Sequence, residues 1–157
     1  MDPAKKYKII RDGGQVKRCH TVPNFQGHYD VAQHTFNVVG ILICCVGMLT
    51  NRLIKAAMFH DLHEQVTGDI PAPTKWANPK LVEALTEIEQ RFDQENELVE
   101  DLTPLELEKL IYADRMELYF WAIDNDQLDI VTRLNKWFEK HPAPCHEMEM
   151  LRKQYAE

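Results

Sequence analysis

The chain has 157 residues, 45% of them hydrophobic, and a net charge of −7. That length suits one domain of about 100–200 residues with its own core. The acidic balance, with no long basic run, argues against a dedicated nucleic-acid surface, yet a small anionic substrate can still bind in a locally positive pocket.

The four cysteines, Cys19, Cys44, Cys45 and Cys145, form no C-x-x-C. Neither a zinc knuckle nor a thioredoxin-type site is therefore indicated, and a reducing compartment fits. The most apolar run, Val38 to Leu49, is about a dozen residues, short of the roughly 20 that a membrane-spanning helix needs. Met1 to Lys6 lead into no apolar segment of the signal-peptide kind. The expectation is a cytoplasmic protein with neither membrane nor nucleic acid as partner.

Residues 1–29 read as an irregular, locally basic leader with turns at Gly13-Gly14, Pro23-Asn24 and Gln26-Gly27. A helix is predicted from Val31 to Leu49, with Asp30 as N-cap and Gln33 in capping-box position. A second is predicted from Asn51 to Val66, capped by Thr50 and ended by Gly68. Asp69 to Lys75, with two prolines, reads as a loop. A third helix begins at Asn78-Pro79 and runs to about Leu98. A fourth begins at Thr103-Pro104 with Glu106 in capping-box position, and Asp114 falls inside its apolar row. Further helices cover about Gln127 to Lys140 and Cys145 to Tyr155. No stretch alternates like a strand. The predicted fold is all-α, a single compact bundle of about six helices over 1–157, with a core at about 18–121 and C-terminal helices over 126–156.

Chemistry concentrates in Ala56 to Asp69, where an apolar helix acquires two histidines, His60 and His63, and three carboxylates, Asp61, Glu64 and Asp69. Burying an adjacent His-Asp pair is costly unless a cation sits on it. His34 and Asp114 lie on other apolar stripes. Each has a bland reading: a hydrogen-bonded core histidine, or an aspartate paired with Arg18 or with Arg115 of a neighbouring chain. Together, two imidazoles and two carboxylates suit a divalent cation, Co, Mn, Zn, Fe or Mg, without selecting among them. The order His60-Asp61-Leu62-His63-Glu64 is wrong for an H-E-x-x-H protease, and neither a P-loop nor a G-x-S-x-G is present.

His34, His60-Asp61 and Asp114 resemble the H…HD…D signature of HD-domain metal-dependent phosphohydrolases. The flanking residues narrow the likeness. Val31-Ala32-Gln33-His34-Thr35 is similar to a V-A-E-H-S element, the run His60 to Lys75 to H-D-x-x-E-x-x-x-G-D-x-P-x-P-x-K, and Tyr112 to Leu118 to an element containing A-D-x-x-E-L. The branch that carries these elements contains bacterial 5′-deoxynucleotidases and phage dATP triphosphohydrolases. The resemblance covers about Arg18 to Trp121. It departs at Gln33, where glutamate is usual, and at Cys19, where an aromatic follows the arginine.

The resemblance implies that His34, His60, Asp61 and Asp114 hold the metal. It implies that Glu64 and Asp69 are catalytic carboxylates, and that Arg18, His20 and Lys75 bind substrate. It further implies a 2′-deoxynucleotide substrate hydrolysed at the α-phosphorus and a homo-oligomer. The Arg18-to-Val22 run leans toward the phage enzymes and a deoxynucleoside triphosphate such as dATP. Release of phosphate from a deoxynucleoside monophosphate, and a non-catalytic nucleotide-binding module, are the alternatives.

Overall fold

The computed structural model describes residues 1–23 and 25–156. Among them the regular elements are α-helices: α1 (Pro3–Gly14), α2 (Val31–Cys45), α3 (Asn51–Phe59), α4 (Glu64–Thr67), α5 (Ala72–Ala77), α6 (Pro79–Glu95), α7 (Pro104–Asp124), α8 (Leu128–Lys140) and α9 (His146–Tyr155). The all-α expectation holds. The helices beyond the expected six are α1, α4 and α5. The turn expected at Pro23-Asn24 falls partly on Asn24, outside the described residues. The chain forms two compact units, Met1–Thr35 with Phe59–Val99 and Phe36–Met58 with Glu100–Glu157.

In the first unit, the leader expected to be irregular contains α1. Its start is written in the sequence: the Asp2 side chain accepts from the Lys5 amide at 3.2 Å, and Pro3 stands in the first turn. Ile9 and Ile10 pack against a small core of Phe59, Leu62 and Leu98. Gly13-Gly14 is no turn but the end of this helix, and its glycines permit close approach. A Cβ on Gly13 would stand 2.7 Å from Leu62 Cδ2 and 3.2 Å from Leu62 Cα. After α1 the chain doubles back through an isolated antiparallel bridge between Lys17 and Asp30. There the Arg18 amide donates to Tyr29 O at 2.9 Å and the Val31 amide to Val16 O at 2.9 Å. Asp30 then caps α2, accepting from the Gln33 amide at 2.8 Å. Gln33 itself is exposed.

The expected helix from Asn51 to Val66 is broken. α3 ends at Phe59, and residues 60–63 turn through bonds to the third residue back: Leu62 N to Phe59 O at 3.0 Å and Glu64 N to Asp61 O at 3.0 Å. α4 is one short turn, closed by Gly68 at φ +70°, a left-handed conformation that favours glycine. The expected loop from Asp69 to Lys75 winds up after Pro71, whose carbonyl accepts from the Thr74 and Lys75 amides at 2.9 and 3.2 Å. Asn78 caps α6 as expected, accepting from the Leu81 amide at 3.3 Å.

In the second unit, Val38, Leu42, Leu53 and Ala57 pack in one core with Ala113, Met116, Phe138 and Met148. The Tyr119 and Phe138 rings meet edge to face at 5.4 Å. α7 opens with the predicted capping box. Thr103 Oγ1 accepts from the Glu106 amide at 3.3 Å, and Glu106 Oε2 accepts from the Thr103 amide at 2.9 Å. Glu106 also accepts from Arg52 Nε at 2.8 and 2.9 Å and from Thr50 Oγ1 at 2.6 Å. Arg52 foremost, then Thr50 and Thr103, holds its carboxyl down at about 2.

Two predictions follow from these contacts. A carboxylate held below its unfolded value stabilises the fold above that value, and loses the contribution as pH falls toward the folded one. The urea midpoint of the wild type is therefore expected to decline between about pH 4.5 and about pH 2. Glu106→Gln lowers the midpoint at neutral pH and flattens that decline; parallel pH curves for the two proteins would contradict the assignment. Gly13→Ala drives a methyl into Leu62 and is expected to cost about 1–3 kcal/mol in chemical denaturation, as overpacking does.

Candidate metal centre and active site

His34 sits one turn into α2, fully buried. Its Nε2 lies 3.2 Å from His60 Nε2 and 3.4 Å from Asp61 Oδ2. His60 Nε2 lies 3.4 Å from the same Asp61 oxygen. Both residues stand just past the end of α3, where the chain turns through bonds to the third residue back, and their donor atoms come within 3.4 Å of each other.

This triangle of donors fits a divalent cation. Tetrahedral ligands at roughly 2.0–2.1 Å from an ion stand about 3.3–3.4 Å from one another. Two imidazole nitrogens and a carboxylate oxygen are a mixed set that first-row divalent metals accept. On the far side of His34, Nδ1 lies 3.2 Å from the hydroxyl of Tyr29, which is 2% exposed. Tyr29 escapes sequence reasoning because a tyrosine beside a helix cap reads as ordinary core.

Arg18, expected on phosphate, is largely buried. Its Nη1 donates to Asp61 Oδ2 and stands 3.7 Å from Glu64 Oε1. Its guanidinium carbon lies 5.8 Å from the centre of the Tyr29 ring. Glu64 is buried, and its Oε2 has no hydrogen-bond partner among the described residues. Burial first, and then the charge of Asp61, pushes its carboxyl up to about 8, with Arg18 opposing. Asp69 Oδ2 accepts from the Cys19 amide at 2.7 Å, across a backbone held at φ +53°. That carboxylate clamps the loop that carries Arg18.

Lys75, half-buried on α5, lines a cavity of about 150 Å³ together with His63, Glu64, Gly68, Val82 and Leu85. Its charge bears on Glu64 and partly offsets the upward shift. His20 is exposed, with its Nδ1 3.3 Å from Lys17 O inside its own loop. Asp114 lies in the second unit on α7, between the buried Ala113 and Met116. Arg115 Nη1 stands 3.6 Å from it. Three residues on, Glu117 is buried and accepts from Asn37 Nδ2 at 3.1 Å.

The family model described as YfbR-like 5′-deoxynucleotidase matches residues 7–134. A curated 5′-deoxynucleotidase of Vibrio vulnificus is 27% identical over 108 residues, covering 65% of this chain and 53% of the relative. One of Pasteurella multocida is 49% identical over 39 residues, covering 25% of this chain and 20% of the relative. The chain thus spans about half the length, or less, of these curated relatives. Among solved structures, an HD phosphohydrolase of cyanophage S-2L bound to dA and one catalytic Zn²⁺ ion matches with a TM-score of 0.67 at 20% identity. That likeness covers 98% of this chain and 95% of the other, and shows a shared fold.

The donor triangle predicts the metal behaviour of single variants. The wild type, loaded with zinc and dialysed, is expected to retain metal measurable by elemental analysis. His34→Ala, His60→Ala and Asp61→Asn each lower retention by at least about tenfold, and equal retention in all four proteins would remove the site.

Proposed function

Since the chain belongs to the YfbR-like 5′-deoxynucleotidase family, we propose that it is a divalent-metal-dependent hydrolase that releases phosphate from 2′-deoxynucleoside 5′-monophosphates. The observation that carries this reading is the convergence of His34, His60 and Asp61 donors within 3.4 Å of one another, beside the buried carboxyl of Glu64. The sequence alone leans toward a triphosphate substrate. The curated relatives move the weight to the monophosphate, because the two described above are named 5′-deoxynucleotidases.

In this reading His34, His60 and Asp61 hold the ion. Asp114 is the fourth ligand, a role that rests on its place in the A-D-x-x-E-L element. The ion, when bound, supplies Lewis-acid polarisation of a phosphate oxygen and a water of lowered pKa. The chain supplies the rest. Water attacks phosphorus, the P–O5′ bond breaks, and the departing 5′ oxygen needs a proton. Glu64, buried beside these donors, is placed to serve as the general acid that supplies it or as the base that takes a proton from the water.

Arg18 offers its guanidinium fork to the phosphate, and Lys75 adds a point charge from the cavity it lines with Glu64. Asp69, through the Cys19 amide, holds the Arg18 loop in place, so its part is orientation as much as proton transfer. His20, exposed on that loop, reaches the substrate only at its outer end. In this proposal the protein acts in the cytoplasm, in keeping with its cysteine usage, and as a homo-oligomer on a small-molecule deoxynucleotide, as the family resemblance implies.

dATP is the second substrate to test, because the phage enzyme of the same fold was solved with dA and Zn²⁺. The purified protein, supplied with Zn²⁺, Co²⁺ or Mn²⁺, is expected to release inorganic phosphate from dAMP. Triphosphate release from dATP without phosphate release from dAMP would reverse the substrate assignment. Nucleotide binding without turnover of either would leave a binding module in place of the enzyme. Glu64→Gln is expected to lower kcat by about 10²–10⁴-fold, the usual worth of a positioned acid, with metal retention unchanged. Asp114→Asn is expected to weaken metal retention.

A further inference from the structure

We propose that Tyr29 is the positioning residue for the metal ligand His34, and that its hydroxyl accepts the Nδ1–H of the ligating ring. The inference rests on the metal-centre reading above and adds a residue that neither the motif nor the family likeness contains. An imidazole that ligates through Nε2 keeps its proton on Nδ1, and that N–H needs an acceptor if it is buried. His34 is 0% exposed, so water does not reach the ring. Tyr29 Oη stands 3.2 Å from Nδ1, and the two rings are perpendicular, at 88°.

Tyr29 is itself held at several points. Its carbonyl accepts from the Arg18 amide, its ring lies beneath the Arg18 guanidinium at 5.8 Å, and its chain neighbour Asp30 both caps α2 and pairs with Lys17. The backbone pairing that places Arg18 by Asp61 therefore also sets the height of the hydroxyl against His34. A phenol suits the task because its oxygen can donate or accept. It satisfies Nδ1 in the metal-free tautomer as well as in the ligating one, which a carboxylate does less evenly.

The test is Tyr29→Phe, which removes one oxygen and keeps the buried ring. Zinc affinity is measured by competition with a chromophoric chelator. Thermal unfolding of both proteins in chelator checks that the fold survives. The wild type is expected to bind zinc, and Tyr29→Phe to bind it about 10–100-fold more weakly, the usual effect of removing such a partner. The second measurement needs no variant: nitrogen-proton correlation spectra of the zinc-loaded wild type are expected to show a slowly exchanging proton on His34 Nδ1. Equal zinc affinity in the two proteins, or a rapidly exchanging Nδ1 proton in the wild type, overturns the inference and leaves the metal centre standing. A wild type that binds none of Zn²⁺, Co²⁺ and Mn²⁺ overturns the metal reading itself, and this inference with it.

Discussion

Three carboxylates within ten residues of chain, Asp61, Glu64 and Asp69, are drawn into one side of the first unit, and positive charge must answer them there. Asp61 is met by Arg18 and by two imidazoles. Asp69 is met by an amide. Glu64, the most deeply buried of the three, has its carboxyl pushed up by burial and by the charge of Asp61. The rest of the local architecture serves this arrangement. The Lys17–Asp30 bridge returns Arg18 to face Asp61, and Gly68 turns the chain so that Asp69 reaches the Arg18 loop. A divalent ion among the donors relieves the same excess of negative charge more completely than one guanidinium. The donor triangle and the raised carboxyl therefore express one constraint.

Much of this was legible in the sequence because helix caps and polar groups on apolar stripes obey local rules. Asp30, Asn78 and the Thr103–Glu106 capping box were readable from residue type and spacing, and each makes its expected bond. His34, His60 and Asp61 stood out as polar groups on apolar stripes, and the structure brings those three together. What failed to read was helix continuity. Asn51 to Val66 keeps a helical apolar pattern throughout, so periodicity gives no sign that bonding shifts to the third residue at His60. α1 was hidden by its glycine pair, a turn signal in general and here a point of close packing against Leu62. Its true marker, Asp2 before Pro3, lay in plain view.

Tyr29 and Asp69 show a second limit. Their partners, His34 Nδ1 and the Cys19 amide, are set by a chain reversal between residues 17 and 30 that leaves no hydrophobic period to read. Sequence patterns report which residues carry chemistry. The groups that orient those residues are found through backbone geometry, and a buried tyrosine looks the same whether its hydroxyl serves a ligand or merely finds a carbonyl.

Charge also bears on the choice between substrates. A triphosphate brings two more phosphoryl groups than a monophosphate, and a site that takes it needs cations not already spent on carboxylates. The cations singled out by the sequence, Arg18 and Lys75, both stand close enough to Glu64 to lower its raised pKa, and Arg18 is also bonded to Asp61. Arg18 turning to a single phosphate group exchanges one anion for another and leaves the local charge balance nearly intact. Lengthening the phosphate chain against Asp61, Glu64 and Asp69 does not. The charge balance around Asp61, Glu64 and Asp69 is thus in keeping with the proposed monophosphate reading.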